Sequence, residues 1–331
     1  MNIYITLDYE LFFGESSGSV ENCIIEPTQD LLNIVEPYQI KITCFVDSGY
    51  LIALQKQKNQ FPQLEQDYKK ITKQIKYLAD NNHGIELHIH PHWEDSYYDG
   101  KKWIFNMSRY KLADFSESEV MDIATRYTEV LKKVSGKNPV AYRAGGWSAQ
   151  PFLNIGKALK NNNILIDSSV FAQGAFKSKN QVFNFKNVPL YKSSYHFLND
   201  LTIENSQGEF LELPISSQKM SPLFFWRFAM KKILKQKKDI SYGDGNAVKS
   251  SKIELIKMLL FPSYSVVSLD GYKSSMIYKA YKKYRKKTNA KGNFVLIGHP
   301  KAFTPFSLKK TNDFIVKAHK SNTFVTYRQE F

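Results

Sequence analysis

The chain has 331 residues, 43% apolar, 23% charged and 14% aromatic, the composition of a folded globular protein and not of a disordered one. Its two cysteines, Cys23 and Cys44, cannot build a disulfide framework, and no run of about 18 apolar residues is present to cross a bilayer. The formal net charge of +15 is concentrated in one place: residues 226–291 hold 17 Lys+Arg against 4 Asp+Glu, and the rest is nearly neutral.

Short apolar runs alternate with longer helical patterns. Residues 3–8 read as a strand, with no basic region, apolar core or cleavage site before them. Cys44 lies in an apolar run where a free thiol behaves as a small hydrophobe, and the chain is expected to be cytoplasmic. A helix is expected near 27–38, a strand at 40–47, a helix from 61 to about 82 and a strand at 85–88. Ser116 and Glu119 have the spacing of a capping box and Gly136 follows as a stop, which predicts a helix over 116–135. A brief strand at 140–142, a helix at 150–160 and a strand at 165–167 come next. Residues 210–214 look like part of a hairpin after the Gln207-Gly208 turn. Helical patterns fill much of the basic segment; then come a strand at 294–298, a helix near 308–319 and a short strand at 323–327. Strand–helix alternation predicts an α/β fold with a parallel sheet, open or closed into a barrel. The simplest organisation is one domain, 1–331, with a basic, mainly helical insertion at 220–292.

Polar groups collect where strands end, which in parallel α/β folds is the active end. Three of the seven histidines, His88, His90 and His92, fall in the run Leu87-His-Ile-His-Pro-His-Trp93. A side-chain period of two starts them on one face, and Pro91 marks the end of the strand. Neighbouring imidazoles at a strand mouth suit a metal ion. Asp8 and Glu10 close the first strand two residues apart, so one can bind metal while the other works as a base. Arg143 ends a strand in Tyr142-Arg-Ala-Gly-Gly-Trp147, Asp167 another in Leu165-Ile-Asp167, and His299 a late one in Leu296-Ile-Gly-His-Pro300. Singly, each has a plain structural reading: Asp8 caps a loop, Arg143 makes a surface ion pair. Five strand ends together are harder to dismiss.

An early Asp, a His pair four apart, Arg with glycines, a strand-ending Asp and then Leu-x-x-His resembles the polysaccharide deacetylases, the NodB-homology group of carbohydrate esterases. The run Lys41-Ile-Thr-Cys-Phe-Val46 also looks like that family's second strand. The resemblance spans about residues 3–170 and 293–300. It implies a distorted seven- or eight-stranded (β/α) barrel and a divalent metal, most often Zn2+. Position by position, Asp8 matches the catalytic base, Glu10 the metal carboxylate, His88 and His92 the metal histidines and Arg143 the group that holds the base. His299 matches the general acid and Asp167 the carboxylate that orients it. The sequence departs from the pattern in three places: Asp8-Tyr-Glu10 replaces adjacent aspartates, Ile89 follows the first histidine, and the Arg143 loop lacks its proline.

The activity so implied is metal-dependent removal of an N-acetyl group from a sugar or glycan precursor in bacterial cell-surface polysaccharide biosynthesis. Alternatives are another C–N hydrolase, such as a cyclic-amide hydrolase, or a catalytically silent glycan- or membrane-binding protein. The basic segment 221–291 mixes aromatics with lysines. It reads either as core-packed helices with solvated lysines or as a surface for anionic lipid, placing the protein peripherally on the inner membrane, where a lipid-linked precursor would lie. No nucleic-acid-binding module is visible, and no nucleic-acid partner is expected.

Overall fold

The computed structural model describes residues 1–234, 236–248 and 251–330. A nine-stranded sheet forms its centre. The strands are β1 (Asn2–Tyr9), β2 (Thr43–Asp47), β3 (Gly84–Ile89), β4 (Ala141–Ala144), β5 (Ile166–Asp167), β6 (Tyr195–Phe197), β7 (Phe210–Glu212), β8 (Asn293–Gly298) and β9 (Thr323–Phe324). Their spatial order is β6-β7-β5-β4-β3-β2-β1-β8, with β9 beside the start of β1. All pairings are parallel except the β6–β7 hairpin. Both faces of β2 and β3 are buried, which is why these runs are apolar throughout and do not alternate.

The sheet curls until its ends meet. Ser216, just beyond β7, donates its N–H to Val295 O of β8 at 3.0 Å, and its hydroxyl accepts from Val295 N–H at 3.0 Å. Residues 267–269 join the same seam: Val267 N–H donates to Ser216 O and Leu269 N–H to Ile297 O. The result is a distorted (β/α) barrel whose strands, all but β6, run out at one end.

Helices cover the outside: α1 (Glu26–Val35), α2 (Ser48–Gln57), α3 (Pro62–Asp80), α4 (Glu117–Ser135), α5 (Leu153–Asn161), α6 (Pro222–Leu234), α7 (Lys252–Leu260), α8 (Ile277–Lys287) and α9 (Pro305–Ala318). In α4 the Ser116–Glu119 capping box and the left-handed Gly136 stop both form. α2 is absent from the sequence reading. It begins with Ser48-Gly49, poor helix formers, and its buried Tyr50, Leu51, Ala53 and Leu54 do not leave a clean polar stripe. Gly49 is needed there because a Cβ would lie 2.6 Å from the Trp93 ring beside the site.

The basic segment divides in two. In α8, Ile277, Ala280, Tyr281 and Tyr284 recur at helical spacing and join the main core, with lysines on the outer face. Upstream, Ser217–Met220 pairs antiparallel with Ser263–Val266. The intervening α6 and α7 pack on a small separate cluster around Met220, Phe224 and Phe225.

Candidate functional site

The barrel brings Glu10, His88 and His90 together at the ends of β1 and β3. Glu10 Oε2 lies 2.7 Å from His90 Nε2 and 3.2 Å from His88 Nε2, and one ligand atom from each of the three falls within 4.8 Å of the others. His88 Nδ1 is 2.8 Å from the Arg143 carbonyl oxygen, which can only accept, so Nδ1 carries a proton. Burial disfavours a charged His88, but Asp8 and Glu10 outweigh it and raise the imidazole, so Nε2 facing the Glu10 carboxylate carries either a proton or, in the neutral ring, a lone pair suited to a bound cation. Among the described residues neither ring nitrogen of buried His90 has a well-angled hydrogen bond, even though Glu10 is so close. Two imidazoles and one carboxylate are the donor set of an open catalytic metal site, and these residues fit a divalent ion. The other oxygen of Glu10 accepts from Lys301 Nζ at 2.9 Å. Burial opposes ionisation of Glu10, but Lys301 and the imidazoles outweigh it and hold the carboxyl well below its usual range.

Asp8 stands between this cluster and His299. Its Oδ2 is 4.0 Å from His88 Nε2 and 3.6 Å from His299 Nε2, while Oδ1 accepts from Arg143 Nη1 at 2.6 Å. Arg143, 0% exposed, crosses the barrel interior over the Phe45 ring and also donates to Thr6 Oγ1, Ser168 O and Ser168 Oγ. Such a clamp leaves the Asp8 carboxylate one orientation. His299 Nδ1 is 2.8 Å from Asp270 Oδ2, and Asp270 Oδ1 accepts the His299 N–H at 2.7 Å. Burial disfavours a charged His299, but Asp270, with Asp8 and Glu10 behind it, overcomes this and raises the imidazole above its ordinary range. A carboxylate able to take a proton thus faces an imidazole able to give one.

No protein-family model matches the sequence, and no curated protein matches it. Solved structures do. A Mycobacterium smegmatis protein assigned as a polysaccharide deacetylase aligns at 16% identity with a TM-score of 0.51, over 99% of this chain and 88% of its own. A Pseudomonas aeruginosa PAO1 protein of the same assignment gives 0.51 at 11% identity with the same coverages. The fold is that of the polysaccharide deacetylases. An allantoinase aligns at 11% identity with a TM-score of 0.49, over 99% of this chain and 88% of its own.

Within this polysaccharide deacetylase fold two sequence-predicted residues stand apart from the groups expected beside them. His92 lies outside the Glu10–His88–His90 cluster. The extended backbone continues through His90, then Pro91–Asp95 turns as a short 3-10 helix and carries His92 into an aromatic box of Trp93, Phe13, Phe105 and Tyr110. Burial and the neighbouring His90 keep it well below the usual imidazole range, and among the described residues neither nitrogen has a hydrogen-bond partner. Asp167 does not reach His299. It accepts from Ser169 N–H and Ser169 Oγ and pairs with Glu212, whose carboxyl burial and the Asp167 charge push well above its usual range. Asp270 holds the place expected of Asp167.

Asp270, Lys301 and Asp47 are residues beside the site that sequence reasoning passes over, and His90, recognised within the histidine triplet, is given no role of its own there. Asp270 has a signal, since Val266-Val-Ser-Leu-Asp270 ends an apolar run as Asp167 does. Lys301 follows His299 by two residues. Asp47 ends β2, accepts from Trp93 Nε1 at 2.6 Å and is pushed up to about 6 by burial, with His90 and His88 opposing.

Proposed function

We propose that this protein is a metal-dependent hydrolase that removes an N-acetyl group from a sugar or glycan precursor of the bacterial cell surface. The observation that carries the reading is the position of Asp8, between a three-ligand cluster and an imidazole with its own carboxylate. Glu10, His88 and His90 would hold a divalent ion, Zn2+ by its donor set, which supplies a polarised acyl oxygen and a more acidic water. Asp8, fixed by Arg143, takes a proton from the attacking water. The water oxygen bonds to the acyl carbon, the C–N bond breaks, and His299, oriented by Asp270, protonates the departing nitrogen. The products are acetate and an amino sugar.

The precursor is proposed to be lipid-linked and met at an anionic membrane surface, the protein lying peripherally on the cytoplasmic face. Supporting this, α6 and α7 expose Trp226, Met230, Ile233, Ile253, Ile256 and Leu260 beside their lysines, with Ile233 78% exposed. That is the pattern of a segment that seats in a lipid interface. Among the described residues no helix is long and apolar enough to cross a membrane.

Metal analysis with acetate release from a panel of N-acetyl sugars tests the catalytic reading. One equivalent of metal and released acetate are expected. Metal without acetate points to another amide, and absence of metal removes the hydrolase. His90→Ala is expected to lose the metal and His92→Ala to retain it; the reverse would return the ligand role to His92. Sedimentation with phosphatidylglycerol vesicles but not phosphatidylcholine ones is expected of the docking surface, and equal partitioning counts against it.

A further inference from the structure

A cavity of about 280 Å³ opens against the acid side of the site. Two of its lining residues belong to the catalytic cluster, since Asp270 holds His299 and Lys301 holds Glu10. Its other wall comes from α6 and from the turn Gly271–Met276, which contribute Phe228, Lys231, Lys232, Tyr272 and Lys273. The volume is just under the lower end, about 300 Å³, of ordinary small-ligand sites, so it suits a head group and not a polymer segment.

The charge balance there is unfinished. Lys231 is matched by Asp239 at 3.1 Å, Lys301 by Glu10, and Asp270 is engaged with His299. Lys232 and Lys273 remain, and among the described residues neither has a carboxylate within ion-pair distance. Lys232 lies over the Phe228 ring at 5.0 Å. Burial pulls the Lys273 ammonium below its ordinary range, Asp270 partly offsets this, and the charge of Lys232 adds to it. Lys273 lines the cavity and Lys232 its solvent-exposed mouth, and two ammonium groups that repel each other there are stabilised by an anion. A neutral glycan offers them hydroxyl acceptors but no countercharge.

We propose that this pocket binds the phosphate or diphosphate on the anomeric carbon of the substrate sugar, so that the substrate is a glycosyl phosphate and not a finished polysaccharide. The phosphate sits against Lys232 and Lys273, and the sugar reaches past Asp270 to the acyl-cleaving groups. This deepens the proposed deacetylase reading and rests on it for the identity of the sugar, but the anion site stands on its own geometry. The same chemistry serves a nucleotide-linked sugar and a polyprenyl-linked one. Because α6 forms both the pocket wall and part of the exposed apolar face, the polyprenyl source is the one the structure favours.

Calorimetric titration of the full-length protein with N-acetylglucosamine and with N-acetylglucosamine 1-phosphate tests it. At least a tenfold preference for the phosphate is expected, weakening as salt rises. That preference should fall tenfold in the double variant Lys232→Ala/Lys273→Ala and also in Lys232→Glu, a substitution at an exposed position. Equal affinity for the two sugars, or a preference that survives both variants, overturns the proposal. Acetate release from a neutral glycan without any phosphate preference removes the pocket and leaves the deacetylase. Phosphate preference without acetate release from any N-acetyl sugar supports the pocket and removes the deacetylase. Tighter binding of a polyprenyl diphosphate sugar than of a nucleoside diphosphate sugar identifies the lipid-linked source, and the opposite order the soluble one; either supports the anion site.

Discussion

Replacing Arg143 by Met removes the guanidinium from a fully buried position and leaves the carboxylate of Asp8, itself 4% exposed, without its partner. Four described hydrogen bonds go with it, to Asp8 Oδ1, Thr6 Oγ1, Ser168 O and Ser168 Oγ. Breaking a buried ion pair by deleting one member costs about 3–5 kcal/mol, chiefly because the survivor is stranded in a poor solvent. For a chain of this size each kcal/mol moves Tm by roughly 1.4 °C, so Arg143→Met is expected to unfold about 4–7 °C lower. Adding Asp8→Asn removes the stranded charge and should restore at least about 1–2 kcal/mol, although the double variant is catalytically dead. Urea and thermal unfolding of the four proteins of the cycle, with metal chelated, measure the coupling. A single variant within about 2 °C of the parent, or two losses that simply add, would refute the idea that Arg143 compensates Asp8.

Three further outcomes follow from the same geometry. Asp270→Asn takes away the charge that raises His299, so the alkaline limb of the pH–rate profile should move to lower pH and turnover fall by about 10²–10⁴; an unmoved limb would show that His299 is not the acid. Burial raises Glu86 from 4.5 to about 7, so its contribution to stability is complete below the unfolded value and is lost as pH rises through about 7. Glu86→Gln should therefore equal the parent near pH 4 and exceed it by up to about 3 kcal/mol at pH 8, read by urea unfolding at each pH. A Cβ on Gly145 would lie 2.5 Å from His90 Nδ1 and 2.7 Å from Ile89 O, so Gly145→Ala should lower metal affinity at least about tenfold and cost about 1–3 kcal/mol, checked by metal titration and Tm.

Closure into a barrel came only from the family resemblance, but the parallel sheet was legible because buried parallel strands are short apolar runs and their ends are marked by the polar residues Asp8, His88, Arg143 and His299. The choice between His90 and His92 was not, because it depends on where the chain stops being extended. The resemblance picks His92 by its four-residue spacing from His88, and although Pro91 marks the strand end, only the three-dimensional turn shows that His92 leaves the shared face. Asp270 was hidden for a different reason. Its strand lies in a lysine-rich stretch that reads as helical, and it reaches His299 through the seam that closes the barrel, a contact between β8 and residues 267–269 that has no local sequence signature. α2 was missed because a helix wedged between sheet and neighbours is apolar on most sides and loses the stripe that identifies a surface helix.

The bridge from Lys301 to Glu10 bears on which ions the site can accept. With one carboxylate oxygen already engaged by an ammonium, an incoming ion finds a single anionic oxygen and two aromatic nitrogens. Magnesium and calcium, which look for shells of oxygen, are poorly served by such a trio, whereas late first-row transition ions gain most from the nitrogens. Were a metal held there, the lysine would bias its identity without touching it.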